Sequence, residues 1–199
     1  MSKRIARLNT DRQLQAYVIG LAIGDGNLSN PNGRAVRLRI TCDKKYPELI
    51  VKISSSLKEL FPGNRVCIVG STGNYVNVSV YSNHLEGLLG WKAWGGSKHR
   101  QCVEVPQWVR DDSFLCIPCL RGLIETDGAV YNDRGYPMVI FSTVIPRLAE
   151  QVAVMMREIG FRPHLYRTRQ CPERESFKYQ VRLSREVPSF LALVSPLKA

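Results

Sequence analysis

The stretch that decides the fold is LRGLIETDG, residues 120–128, and a fainter copy of it, VIGLAIGDG, occupies residues 18–26. Superimposing the copies places Gly20 on Gly122 and Asp25 on Asp127, each 102 residues apart. Each copy has the pattern of the last turns of an apolar helix that ends in Asp-Gly. A constant offset at about half the chain length predicts an internal repeat, and therefore two similarly folded halves.

Small residues recur at a spacing of four along both predicted helices, which puts them on one face of each helix. A ridge of small side chains lets two helix backbones approach closely. We therefore expect the two helices to pack against each other through this face. The predicted interface residues are Gly20, Gly24, Gly122 and Thr126.

Packing of this kind would bring Asp25 and Asp127 together at the C-terminal ends of the two helices. Two carboxylates there oppose the negative ends of the helix dipoles, and a divalent cation would make the arrangement favourable. Magnesium suits such hard oxygen ligands and usually takes one or two protein carboxylates together with substrate phosphates. The sequence thus predicts a metal site at Asp25 and Asp127, with the backbone carbonyls of Gly24 and Thr126 as further ligands. For one copy alone, a helix stop with glycine in the left-handed conformation would be the simpler explanation.

The two motifs resemble those of the LAGLIDADG homing endonuclease family, in its single-chain form with two motifs. The second copy matches closely, whereas the first has Ile23 where the family often has an acid. The resemblance implies an α+β fold of two pseudo-symmetric αββαββα subdomains, with the motif helices packed at the centre and antiparallel sheets forming a DNA-binding saddle. The predicted division is an N-terminal subdomain over residues 1–90, a linker over 91–112 and a C-terminal subdomain over 113–199.

The resemblance also implies metal-dependent cleavage of double-stranded DNA, with the acid before the final glycine of each motif as a metal ligand. We expect Mg²⁺ as the cofactor, Mn²⁺ as a substitute, and Ca²⁺ to support binding with little turnover. Bound metals can activate water and stabilise both the phosphorane and the leaving oxygen. Family members usually add a glutamine or basic residues near the metals, and here Cys42 stands near the place where a glutamine is expected. The predicted catalytic residues are Asp25, Asp127, Lys44, Lys45 and Arg185.

The balance of charge favours a nucleic-acid partner. The 199 residues include 28 Lys and Arg against 17 Asp and Glu, a net charge of +11. A chain this basic usually binds a polyanion. An anionic membrane surface is the rival partner, but no long basic amphipathic helix, spanning apolar run or signal-peptide core is present in the sequence. We therefore expect an intracellular protein.

Residues 35–41 alternate between apolar and polar side chains, which is typical of a strand with one buried face. A strand with arginines on its open face is suited to nucleic acid, although a solvated face is the simpler alternative. Residues 177–184 show the same alternation in the second half. The predicted DNA-binding residues are Arg37, Arg39, Thr41, Asn77, Ser79, Lys178, Gln180 and Arg182.

The sequence offers candidate start points for both motif helices. Thr10 and Gln13 have the spacing of a capping box, which predicts that the first helix begins after Thr10. The second helix either begins after Asp112, with Pro118 in its interior, or begins near Ile117, with Pro118 at its first turn.

The six cysteines show no disulfide framework. Cys116 and Cys119 form a C-x-x-C pair, which could be half a zinc site or a redox pair. No second pair follows at the spacing of a zinc finger, so we expect buried structural thiols instead.

Three functions are compatible with these observations. The first is a monomeric, intron-encoded homing endonuclease that cleaves both strands of a long asymmetric duplex. The second is an RNA maturase of the same fold, which assists the splicing of its own intron. The third is a DNA-binding module that has lost its chemistry, which the presence of both acids argues against. The sequence runs from Met1 to Ala199 without splicing blocks, so we do not expect an intein.

Overall fold

The computed structural model describes residues 8–171 and 174–198, so residues 1–7, 172–173 and 199 of the predicted subdomains lie outside the described part. The first half contains α1 (Arg12–Asp25), β1 (Gly26–Ser29), β2 (Arg37–Asp43), α2 (Pro47–Leu60), β3 (Val66–Gly70), β4 (Tyr75–Tyr81) and α3 (Leu85–Leu89). A short helix, α4 (Gln107–Arg110), follows in the connection. The second half contains α5 (Ser113–Asp127), β5 (Gly128–Asp133), β6 (Tyr136–Thr143), α6 (Pro146–Glu158), β7 (His164–Cys171), β8 (Arg174–Leu183) and α7 (Val187–Val194).

Each half folds around a four-stranded antiparallel sheet. The strand order is β1-β2-β4-β3 in the first half and β5-β6-β8-β7 in the second. Corresponding strands therefore have corresponding neighbours, and each half has the order αββαββα. The predicted α+β fold with two pseudo-symmetric halves is confirmed. The exact bounds of the subdomains and the linker stay predictions.

The motif helices α1 and α5 form the most extensive contact between any two helices. A Cβ atom added at Gly122 would lie 2.5 Å from the carbonyl oxygen of Tyr17 and 2.6 Å from the backbone nitrogen of Leu21. A Cβ atom at Gly20 would collide with the carbonyl of Cys119. Backbone thus lies against backbone at this crossing, which explains why glycine stands at both positions.

The Asp-Gly ends of the two helices are not left-handed helix stops. Gly26 has φ −79° and ψ 147°, and Gly128 has φ −92° and ψ 160°, so both are extended. A Cβ atom at Gly128 would lie 2.6 Å from the carbonyl oxygen of Ile124, and one at Gly26 would collide with that of Ala22. Glycine is therefore required for close approach. It lets the chain pass directly from each motif helix into β1 or β5.

The N-terminal ends of the two helices differ from part of the prediction. Asp11, not Thr10, caps α1, and its carboxylate accepts hydrogen bonds from the N–H groups of Gln13 and Leu14 at 2.8 and 3.2 Å. The capping box at Thr10 is wrong because the neighbouring aspartate supplies a charged acceptor that also suits the positive end of the helix dipole. Asp112 caps α5, which leaves Pro118 inside the helix.

The two cysteines of the C-x-x-C pair are buried, and both are free thiols. Burial raises the pKa of the Cys116 thiol to about 11. The prediction of buried structural thiols at Cys116 and Cys119 is confirmed. None of the helices in the described part of the chain is long and apolar enough to cross a membrane.

Candidate active site

The two motif acids stand where the motif helices end. Asp25 is the last residue of α1 and Asp127 is the last residue of α5. Since each helix continues directly into a strand, each carboxylate lies at the junction between a central helix and a sheet. Asp25 reaches solvent, and Asp127 is half-buried.

The surroundings of the two acids raise the pKa of both. Burial raises the pKa of Asp127 to about 6, and the charge of Asp25 adds to the increase. Burial also raises the pKa of Asp25, even though its side chain reaches solvent. The ammonium groups of Lys98 and Lys198 lower the pKa of both acids. Asp25 and Asp127 are thus an anionic pair that a cation between them would stabilise.

Lys98 reaches the end of α1 from the connection between the halves. Its Nζ donates hydrogen bonds to the carbonyl oxygen of Ile23, at 2.6 Å, and to that of Gly24. Burial lowers the pKa of the Lys98 ammonium, while the charges of Asp127 and Asp25 raise it. A cation on the last carbonyls of a helix also stabilises the negative end of the helix dipole.

Lys198 has the corresponding place at the end of α5. Its Nζ donates a hydrogen bond to the carbonyl oxygen of Thr126 at 3.2 Å and lies 5.3 Å from the ring centre of Tyr46. Lys98 follows Asp25 by 73 positions, and Lys198 follows Asp127 by 71. Each acid therefore has a lysine on the carbonyl that directly precedes it.

Two clefts flank the ends of the motif helices. The larger, about 560 Å³ in volume, is lined by Lys98, Asp127 and Lys178, together with residues 142–145 at the end of β6. The smaller, about 320 Å³, is lined by Lys198 and by Tyr46, which follows β2. Each cleft thus combines the lysine that follows one half with the strand end of the other half.

The residues at this centre fit a divalent cation in part. The carboxylates of Asp25 and Asp127 repel each other, and a cation would remove that repulsion. The carbonyls of Gly24 and Thr126, predicted as further ligands, accept hydrogen bonds from the two lysines instead. Within residues 8–171 and 174–198, no group of three or more His, Cys, Asp or Glu side chains could hold a metal ion. A metal here would depend on the two acids and on oxygen atoms from outside the protein.

A family comparison bears on this arrangement. Residues 118–193 match the family model of a LAGLIDADG-like domain. The matched residues make up most of the second half of the chain. The resemblance predicted from the two motifs is thereby confirmed.

Solved structures with the same fold extend over both halves. The structure of I-DmoI in complex with DNA and manganese has a TM-score of 0.63 and 17% identity, over 94% of this chain and 97% of I-DmoI. The N-terminal LAGLIDADG domain of DUF199/WhiA has a TM-score of 0.60 and 12% identity, over 94% of this chain and 85% of that domain. Full-length DUF199/WhiA from Thermatoga maritima has a TM-score of 0.59 and 12% identity, over 96% of this chain and 57% of WhiA. No curated protein sequence matches the chain. At these identities the likeness shows a shared LAGLIDADG fold.

The three basic residues that were predicted to be catalytic lie at three separate positions in the structure. Lys44 donates hydrogen bonds to the carbonyls of Ser71 and Gly73, at 2.9 and 2.8 Å, in the turn between β3 and β4. Lys45 lines the smaller cleft beside Lys198. Arg185 is exposed after β8. Their catalytic roles stay predictions, and the geometry favours Lys45 among the three.

The predicted DNA-binding residues of the first half alternate with buried residues of the core. Arg39 pairs across the strands with Ser79, and Thr41 pairs with Asn77. The side chains of Thr41 and Asn77 form a hydrogen bond of 3.0 Å. Arg37 donates from its Nε to the hydroxyl of Ser29 at 3.2 Å, in the neighbouring strand. These side chains form one polar sheet face.

In the second half, Arg182 pairs with Ile140, and Gln180 pairs with Ser142. An oxygen of Asp133 lies 3.6 Å from a terminal nitrogen of Arg182. Lys178, whose DNA-binding role stays a prediction, lines the larger cleft with Asp127 and lowers the pKa of that acid.

One arginine in each half has a buried Nε without a hydrogen-bond partner in the part of the chain that the structure describes: Arg39 and Arg182. A buried donor of this kind normally finds a partner, since leaving it unpaired is costly.

The two lysines that bind the ends of the motif helices were not predicted from the sequence. Their nearly equal distances from the acids, 73 and 71 positions, are a signal that a search for repeats could have found. The sequence also predicted no role for Glu125, whose side chain is fully buried.

Proposed function

We propose that the chain is a site-specific DNA endonuclease that acts as a monomer and cleaves both strands of a long asymmetric duplex with the help of a divalent metal ion. The observation that carries this proposal is the pair of acids at the ends of two packed helices, each with a lysine on the preceding carbonyl. The fold shared with I-DmoI, which has been solved in complex with DNA and manganese, supports the same substrate class.

Asp25 and Asp127 would hold the metal. When bound, the metal would activate water and neutralise charge on the scissile phosphate. Two anionic oxygens in a partly buried place favour a cation strongly, because protein and solvent screen the charges less there than in water.

Lys98 and Lys198 have a different role in this proposal. Each fixes the end of a motif helix and adds positive charge to one of the two clefts. A scissile phosphate in the larger cleft would meet Lys98 together with Asp127, and one in the smaller cleft would meet Lys198. Preorganised charges of this kind stabilise the charge that develops during phosphoryl transfer.

The sheet faces would bind the duplex on both sides of this centre. Arg39 and Arg182 lie on the open face of a sheet, and their side chains are partly exposed. Arginine donates in a geometry that suits phosphate oxygens and the major-groove edge of guanine. Contacts in two differing halves would select an asymmetric target.

Cleavage of a plasmid library with randomised inserts tests the proposal. The wild-type protein with Mg²⁺ should linearise a subset of plasmids, and sequencing of the new ends should give one recurring site. Asp25→Asn and Asp127→Asn should produce no linear plasmid. The matched control is Asp111→Asn, which removes a carboxylate at the end of α4 and should cleave normally.

Two results would overturn the proposal. One is a wild-type protein that leaves every plasmid intact with Mg²⁺ and with Mn²⁺. The other is equal cleavage by wild type and the motif variants, which would indicate a contaminating nuclease. Tighter binding to structured intron RNA than to duplex DNA, unchanged by the motif variants, would favour the maturase.

A further inference from the structure

The segment that follows α7, residues 195–198 and here called the tail segment, is fixed against the second motif helix. Ser195 has φ 49° and turns the chain back after α7. The N–H group of Leu197 then donates a hydrogen bond of 2.9 Å to the Oε1 atom of Glu125 in α5. The next residue is Lys198, whose ammonium lies on the carbonyl of Thr126. The tail segment therefore places Lys198 at the end of α5, next to Asp127.

Glu125 is an unusual residue for the interior of the protein. Its side chain is 0% exposed, and burial of a carboxylate is costly unless hydrogen bonds satisfy it. Oε2 accepts a bond of 2.6 Å from the Tyr17 hydroxyl, and Oε1 accepts from Arg121 Nε at 3.0 Å as well as from Leu197. Burial, and then the charge of Glu125, raise the pKa of the Tyr17 phenol, which keeps its proton and donates.

The repeat shows that helix packing alone does not require this acid. The counterpart of Glu125, 102 residues earlier, is Ile23, which is buried and apolar in α1. The first half therefore completes its motif helix without a carboxylate. What distinguishes the second half at this position is the tail segment, which Glu125 binds.

Lys98 reaches its own helix by different means. The side chain of Gln101 accepts from the N–H of Lys92 at 2.8 Å and donates to the carbonyls of Lys92 and Gly96, both at 3.0 Å. The backbone of Val103 also bonds to the carbonyl of Lys98 at 3.0 Å. The loop that carries Lys98 is thus closed by its own hydrogen bonds, whereas Lys198 depends on a residue of the motif helix.

We propose that Glu125 is a positioning residue, whose buried carboxylate holds the tail segment so that Lys198 lies beside Asp127. The effect on cleavage rests on the proposed endonuclease function, while the effect on Lys198 itself does not. The position of Lys198 can therefore be tested without any nuclease activity.

The first experiment measures how fast acetic anhydride labels each lysine, as read by mass spectrometry. Glu125→Met should raise the labelling rate of Lys198 several-fold and leave exposed Lys58 unchanged. Tyr17→Phe is the matched control, because it removes one bond to the same carboxylate but leaves the bond to Leu197. Lys198 should then react as in wild type. Unchanged labelling of Lys198 in Glu125→Met would overturn the proposal.

Leu197→Pro provides a second route if Glu125→Met does not fold. This variant lacks the N–H group that the carboxylate binds, and it keeps the bonds from Tyr17 and Arg121. It should release Lys198 to the label in the same way. A Lys198 that stays protected in folded Leu197→Pro would refute the anchoring.

The second experiment measures cleavage of bound DNA. Misplacement of a group near the reacting atoms can reduce the rate roughly 10- to 100-fold, so Glu125→Met and Lys198→Met should each lose about that factor. The double variant should lose no more than either single variant, because both changes remove the same lysine from the centre. Additive losses, or normal cleavage by a variant in which Lys198 is freely labelled, would overturn the positioning role. If wild type does not cleave, the endonuclease proposal fails and the labelling still decides the anchoring.

Discussion

The close approach of the motif helices at Gly122 leads to a sharp prediction for Gly122→Ala. The new Cβ atom would lie 2.5 Å from the Tyr17 carbonyl oxygen, whereas ordinary contact begins at 3.4 Å. The helices would have to separate by about 0.9 Å, the difference between these two distances. Overpacking of a filled core costs about 1–3 kcal/mol, and we expect the upper end because the atoms that must move belong to the backbone.

Alanine offsets part of this cost, since it favours helix over glycine by about 1 kcal/mol. The expected net loss for Gly122→Ala is therefore about 2 kcal/mol in the free energy of unfolding. For a chain of this size, each kcal/mol corresponds to about 2–4 °C, so Tm should fall by about 4–8 °C. Thermal unfolding followed by circular dichroism measures this shift.

Gly87→Ala is the matched control. Gly87 lies in α3 with open space where its Cβ would be, and its φ is not positive. The same substitution should there leave Tm unchanged or raise it by a few degrees. If Gly122→Ala unfolds at the same temperature as Gly87→Ala, the two helix backbones do not touch and the reasoning about the small-residue ridge is wrong.

Three further predictions concern the acids and the sheet faces. Asp25→Asn and Asp127→Asn should each abolish cleavage of both strands while leaving duplex binding intact, and with Ca²⁺ the wild type should bind with little cleavage; a variant that nicks one strand at the wild-type rate in a plasmid assay would contradict a shared centre. A pKa of about 6 for Asp127, above its ordinary value, means that the folded state binds this proton more tightly than the unfolded state, so stability from this group is lost as pH rises. In chelator, Asp127→Asn should therefore have a higher Tm than wild type at pH 7.5, and the difference should vanish near pH 4; a constant difference would refute the shift. Arg39→Ala and Arg182→Ala should reduce the salt slope of DNA binding by about 1 each if they bind phosphate, or cost about 1–3 kcal/mol at one base pair if they read a guanine; unchanged affinity and specificity would place the interface elsewhere.

The central helices could be predicted because their signal is local and repeated. Apolar residues, a spacing of four between small residues and an Asp-Gly end are all visible in one short window, and the second copy confirms the first. The strand alternation of residues 35–41 is equally local, and the structure has this strand two residues later, as β2 at Arg37–Asp43. The start of α1 was wrong by a single residue because Thr10 and Asp11 are both good caps.

Two strands could not be predicted from their own residues. β1 has only four residues, and β5 begins with glycine and ends in two polar residues, so neither gives a clear alternation. They form because the extended glycines at 26 and 128 direct the chain along β2 and β6 as each motif helix ends. The pairing partner, not the local sequence, determines these strands.

The basic residues of the centre were missed for a related reason. Lys98 and Lys198 are more than 70 positions from the acids they approach, and each lies in an irregular segment without periodicity. Lys44 follows the end of a predicted strand, which is why a catalytic role is predicted for it. Its ammonium group instead donates hydrogen bonds to carbonyl groups in the turn between β3 and β4. Proximity of this kind depends on how loops close, which a single sequence does not reveal.

The repeat nevertheless does not give two independent sites. Residues 15–24 of α1 are all buried, and a helix that is apolar on every side requires a partner on every side. The larger cleft is lined by Lys98, which follows the first half, and by residues 142–145 of the second half. The smaller cleft is lined by Lys198 of the second half and by Tyr46 of the first half. Each half thus completes the cleft of the other. The two halves share a backbone fold, but Ile23 in the first half stands where Glu125 stands in the second. The two lysines are therefore held in different ways. This difference suits a single centre that binds an asymmetric duplex.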